Sequence, residues 1–143
     1  MAVIFIFAAM KIFISLICAL FAFASCHKVD KQLKEKISNS DSVAINYFAG
    51  DGKVDSVTSV KIIHSKDTIE QLTDFITASL INIKSNCGYD GSIHFYKNDN
   101  VVQDINFRMN DENCRQFSFV EDGNFTATGL SSHAKQLLEE IKK

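Results

Sequence analysis

The residues of this chain best suited to chemistry are its four cysteines and four histidines, and their spacing limits what they can do. His27, His64, His94 and His133 never stand at the i, i+4 or H-x-H separation that builds a local metal or base site. Cys87 and Cys114 lack the C-x-x-C spacing of a redox pair, and each stands among turn residues that precede a strand. His94 alternates out of phase with Ile93 and Phe95, which puts it on an outer sheet face with Tyr96 and, on the next strand, Asp104 or Arg108. A His–Asp pair there is a candidate base, and its plainer reading is a solvated cross-strand contact. No serine lies in a G-x-S-x-G setting, and no glycine loop opens a helix as a phosphate cradle. Asp111-Glu112 and Glu121-Asp122 read as turn and solubility residues, because the D-x-D-x-D-G order of a calcium loop is absent. The sequence therefore assigns no catalytic residue, no metal ligand and no cofactor. An enzyme using His64, His94 and nearby carboxylates stays open as an alternative, since catalytic groups can be assembled from distant positions.

Positioning these groups falls to a series of alternating segments. Residues 42–48 put Val43, Ile45 and Tyr47 on one face, and Gly50-Asp51-Gly52 suits a tight hairpin. Residues 54–64 resume the alternation, with Val54, Val60 and Ile62 on one side and Val57, Ser59, Lys61 and Ile63 on the other. Asp67 and Glu70 fit a capping box, and Ile69, Leu72, Ile76 and Leu80 form an apolar stripe, which predicts a helix from Asp67 to near Asn82. Residues 92–97, 101–109, 114–120 and 124–128 read as four strands joined by hairpin-length turns. Their buried side carries Ile93, Phe95, Ile105, Phe107, Met109, Phe117 and Phe119. A closing helix starts at the N-cap Ser131 and turns Leu130, Ala134, Leu137, Leu138 and Ile141 inward. The order β-β-α-β-β-β-β-α predicts an α+β fold, an antiparallel sheet of five to six strands with two helices on one face. The opposite face, with Tyr96, Asn106, Arg108, Gln116, Ser118 and Thr126, is the candidate binding face. The plain alternative is an ordinary polar outer surface.

Ahead of these segments, residues 1–25 carry a single charge, Lys11. Met10-Lys11 gives a basic start, residues 12–21 an apolar core and residues 22–25 a small-residue exit, the layout of a secretion signal. Either Met1 or Met10 can be its start. With Phe23-Ala24-Ser25-Cys26, this stretch resembles a bacterial lipoprotein precursor, and the Phe-, Ile-, Lys- and Asn-rich composition is similar to that of Bacteroidota lipoproteins. The resemblance implies that Cys26 carries diacylglycerol on its thiol and an acyl chain on its new amino group, enough chains for stable membrane anchoring. It also implies a cell-envelope protein held at a membrane, the outer one favoured, with its domain in the periplasm or at the cell surface. Two other fates stay open: cleavage after Ala22-Phe23-Ala24 to release a soluble protein, and an uncleaved leader that spans the membrane. Cysteine parity bears on the choice. With Cys18 lost and Cys26 lipidated, Cys87 and Cys114 remain as a pair, expected to close a disulfide in an oxidising envelope.

The domain organisation expected is thus a signal peptide over 1–25, a lipidated cysteine and polar tether over 26–41, and one globular domain over 42–143. Val29, Leu33 and Ile37 recur every four residues within the tether, but an isolated helix that short is marginal in water, so a mobile linker is expected. The chain has 15 basic and 17 acidic residues and no basic block, which argues against a nucleic-acid partner. The function expected is a lipid-anchored, non-enzymatic binding module acting on an envelope protein or glycan as an inhibitor, immunity or assembly factor. Its rivals are an envelope hydrolase or metal-dependent enzyme and a purely structural lipoprotein.

Overall fold

The computed structural model of the chain describes Val29 and residues 31–49 and 56–143. The leader, Cys26 and the Gly50-Asp51-Gly52 hairpin lie outside the described residues. In chain order the elements are α1 (Lys31–Ser38), β1 (Ser42–Phe48), β2 (Val57–Ile63), α2 (Lys66–Ile76), β3 (Gly91–Lys97), β4 (Asn100–Arg108), β5 (Gln116–Glu121), β6 (Asn124–Gly129) and α3 (Ser132–Lys142). The six strands form one antiparallel sheet of order β2-β1-β3-β4-β5-β6, so the fold is α+β as the pattern predicts.

Alternation sets the sheet's two faces. Val43, Ile45, Tyr47, Ile93, Phe95, Ile105, Phe107, Phe117 and Phe119 all turn to the helix side and are buried in one continuous core. The β3–β4 and β5–β6 hairpins are two-residue turns with left-handed backbone at both positions, Asn98 and Asp99 in one, Asp122 and Gly123 in the other. Gly91 is fixed by space. A Cβ there would lie 2.3 Å from both the Asn46 carbonyl oxygen and Cζ of Phe107, so a glycine lets that ring pass beneath β3 to meet Tyr47 edge-on.

The helices differ from expectation in two places, each for a physical reason. Residues 31–38 are a docked helix rather than part of a free tether: Leu33 and Ile37 are buried in the core with Val29, and Lys34 pairs with Asp74 of α2 at 2.8 Å. Tertiary burial supplies what the short helix lacks alone. Asp41 then ties the α1–β1 link to the β3–β4 hairpin. It accepts hydrogen bonds from Lys97 Nζ and the Asn98 N–H, which hold its carboxyl below the usual carboxylate range.

The second difference is α2, which is shorter than its apolar stripe and starts earlier. Its N-cap is Ser65, whose hydroxyl accepts from the Thr68 N–H, and Asp67 sits in the first turn, where its charge suits the helix dipole. It stops at Ile76 because the Ile76 carbonyl accepts a 2.7 Å hydrogen bond from the Thr128 hydroxyl of β6. The chain beyond turns extended, and residues 79–81 pair with 127–129 on the free edge of β6. Edge pairing thus takes the residues that periodicity assigns to the last helical turn. α3 follows its prediction, capped by Ser131, with Ala134 and Leu138 buried. The Leu138 carbonyl accepts from the Tyr47 hydroxyl at 2.6 Å, and burial pushes the pKa of that hydroxyl up.

Phe107→Ala should cost about 3–5 kcal/mol by the transfer and cavity terms of a buried aromatic. Ile62→Ala, on the open side of β2, should cost within about 0.5 kcal/mol. Denaturant melts of the two variants measure both, and equal losses would contradict this assignment of faces.

Candidate functional site

The face of the sheet away from the helices carries the candidate binding residues, and the 77–90 connection covers one end of it. From the edge of β6 this connection passes to Lys84, whose N–H donates to Gln116 Oε1 and whose carbonyl accepts from Gln116 Nε2. A short helical turn at Ser85–Cys87 comes next, and Cys87 is bonded to Cys114 with a Cα–Cα distance of 5.6 Å. The chain then enters β3 through Asp90, which is 2% exposed. Asp90 accepts from Arg108 Nη1 at 2.6 Å and from the N–H groups of Met109 and Asn110, both at 2.8 Å. Three charge-assisted hydrogen bonds satisfy a carboxylate that burial alone would penalise.

This geometry corrects the patch expected of the sequence. Gln116 is 3% exposed under the Lys84 backbone, and Ser118 is buried beside it. Arg108 is held by Asp90 and mostly buried. Thr126 pairs with Phe119 and so belongs to the helix side. Tyr96 and Asn106 of the expected patch stay partly open, and Arg108 keeps a small exposed part. The crossing segment covers the end of the face where β5 begins, because the disulfide and the Gln116 amide fasten it there. Cys87 and Cys114 do meet as the meander predicts, both standing ahead of strands that start at the same end of the sheet.

What remains open is a polar seam flanked by apolar side chains. His94 Nδ1 donates to Asp104 Oδ1 at 2.5 Å, and its Nε2 accepts from the Ser92 hydroxyl at 2.9 Å and the Asn46 amide at 3.1 Å. Register produces this cluster, since Asn46 opposes Ser92 and His94 opposes Asp104 across the ladder. Serine, histidine and carboxylate in that order can activate a hydroxyl for acyl transfer. Here, however, Ser92 is only 8% exposed, and the shallow cleft beside the seam is lined by Asp104 and Asn106 without Ser92 or His94. His64 stands just beyond β2, with β1 between it and β3, so the two histidines do not share a site. Among the described residues, no three His, Cys, Asp or Glu side chains gather as metal ligands.

One flank of the seam is the edge strand β2, where Val57, Val60 and Ile62 are exposed, Ile62 at 64%. The other flank is Val101, Val120 and Phe125, also exposed. Alternation in β2 puts Val60 and Ile62 together but sets Val57 on the other side; the register shift between Tyr47 and Phe48, which pairs Val57 with Phe48, brings Val57 to the same flank. Nothing local marks Asp90, Ser92 or Asn46, whose partners come from other strands.

Asp90→Ala should strand Arg108 and two backbone donors and cost about 3–5 kcal/mol, the range for breaking a buried ion pair by removing one partner. A melt showing under about 1 kcal/mol, the scale of an exposed pair, would mean that Asp90 does not fasten the crossing. No family model, curated protein or solved structure matches the chain.

Proposed function

We propose that the chain is a lipid-anchored cell-envelope protein whose domain is a non-enzymatic module that binds an envelope protein along its open sheet edge. The observation that carries the binding reading is β2. Among the described residues it is an edge strand, with one row of backbone donors and acceptors that no described strand pairs, and it exposes Val57, Val60 and Ile62 beside it. Soluble proteins blunt such edges with charge, proline, bulges or a covering element. Here Lys61 is the strand's single charge, and the one irregularity in its ladder lies at its start, where Phe48 pairs with Val57, so residues 60–63 run regularly. An unpaired edge with apolar side chains is the surface that strand addition uses, main-chain bonds giving affinity and side-chain pockets giving specificity. The anchoring part rests on the leader and Phe23-Ala24-Ser25-Cys26, supported by the Cys87–Cys114 bond, which takes the other two cysteines beyond the leader.

One set of variants tests both parts. Cys26→Ser should abolish palmitate incorporation and shift the protein out of the membrane fraction. Ile62→Glu should keep the palmitate and the membrane location yet lose the envelope partner that crosslinks to wild type. Equal labelling of wild type and Cys26→Ser removes the anchor, and undiminished crosslinking by Ile62→Glu removes β2 as the binding edge.

The Ser92–His94–Asp104 hydrogen-bond chain favours a second reading, an acyl hydrolase with Ser92 as nucleophile. The two readings part at the serine. The binding module predicts that a fluorophosphonate probe labels wild type no more than Ser92→Ala, whereas labelling that vanishes in Ser92→Ala and His94→Ala establishes the hydrolase.

A further inference from the structure

We propose that the end of the sheet carrying Val101, Val120 and Phe125 rests on the lipid bilayer, so that the domain lies on the membrane surface rather than hanging clear of it. The proposal rests on the lipid anchor at Cys26 and adds which surface meets the bilayer. Its first support is chain length. Val29 is buried in the core, and three residues of fully extended chain reach at most about 11 Å, so the lipidated residue cannot stray further than that from Val29. The docked α1 removes the tether that would have given the domain freedom.

Its second support is where that short leash leaves the fold. The first turn of α1 borders the β5–β6 hairpin: Gln32, Leu33 and Lys36 line one groove with Val120, Glu121 and Asp122. Lys36 Nζ donates to Gln103, and Gln103 donates in turn to the Val120 carbonyl. At this same end, Val120 pairs across the ladder with Phe125, and Val101 stands just past the neighbouring hairpin. Val120 is 55% exposed, and Phe125 and Val101 are each 47% exposed. The three line a shallow cleft of about 330 Å³.

Three exposed apolar side chains bind lipid weakly from solution. Held within one leash length of the anchor, they meet the bilayer at high effective concentration, and their transfer into the interface becomes an intramolecular step. Asp104 lines the cleft with them, and Glu121, Asp122 and the cation Lys36 line the adjoining groove with Val120, so the surface suits zwitterionic headgroups better than anionic ones. The β2 edge lies at the far side of the sheet and stays free for a partner.

The chain has no tryptophan, which makes single-tryptophan variants clean reporters. The full chain is expressed in a bacterial host as wild type, Phe125→Trp, Val120→Trp and Ile62→Trp, and each purified protein is weighed intact to read its acylation. Each is then placed in phosphatidylcholine vesicles whose acyl chains are brominated or not. For acylated protein, Phe125→Trp and Val120→Trp should lose roughly half or more of their emission to bromine, as side chains within the headgroup and acyl boundary do, while Ile62→Trp keeps its emission. Circular dichroism matching wild type shows that each variant folds. Equal emission ratios for all three acylated variants would overturn the proposal. A mass with no acyl chain overturns it too, and identifies the anchor rather than the contact surface as the failing step.

Discussion

The Cys87–Cys114 bond is the constraint on which most of the remaining structure depends. It closes a sequence separation of 27 residues and, in the chain-entropy model, a loop of that size is worth about 3–4 kcal/mol. Its position matters as much as its energy. The connection between α2 and β3 must pass from the helix layer round the β6 edge and back to the centre of the sheet, and the bond pins its far end. Gln116 holds the middle of that path through the Lys84 backbone, and Asp90 holds its exit through Arg108, Met109 and Asn110. The three fastenings together close one end of the outer face and pair the β6 edge with residues 79–81. Among the described strands β2 is the edge left unpaired, and that is why the proposed binding is placed there.

Legibility in the sequence depended on whether the signal was local. Alternation in 42–48, 92–97 and 101–109 and the Asp122-Gly123 turn specify strands and registers that the structure keeps, because each depends only on neighbours in sequence. The capping hydroxyl of Ser131 is equally local. The end of α2 is not: Leu80 continues the helical stripe, but Thr128, 52 residues away from Ile76, takes the Ile76 carbonyl, and the edge of β6 takes residues 79–81. The apolar spacing of Val29, Leu33 and Ile37 was visible, whereas its outcome depended on a groove formed by α2 and β4. The same holds for the outer face. Periodicity put Arg108 and Gln116 on the correct side of the sheet, but could not reveal that Asp90 and Lys84 would cover them.

Docking of α1 changes what the proposed anchor would mean physically. A free stretch over 26–41 would let the domain explore a shell many residues deep above the membrane. With 31–38 packed and Val29 in the core, little chain is left to serve as spacer, and orientation at the surface becomes a property of the fold. On the proposed anchoring, a module with one end on the bilayer and β2 at the far side would be arranged to meet partners at the same membrane.

The cysteines are held to divide their roles, Cys87 with Cys114 as the clamp and Cys26 as the anchor. Peptide mapping by mass spectrometry of the protein purified from membranes without reduction tests this division most directly. The expected result is one linked peptide pair joining Cys87 to Cys114 and an amino-terminal peptide that begins at Cys26 and carries the mass of diacylglycerol plus an acyl chain. A free thiol at Cys26, or Cys26 joined to either of the other two, would contradict it.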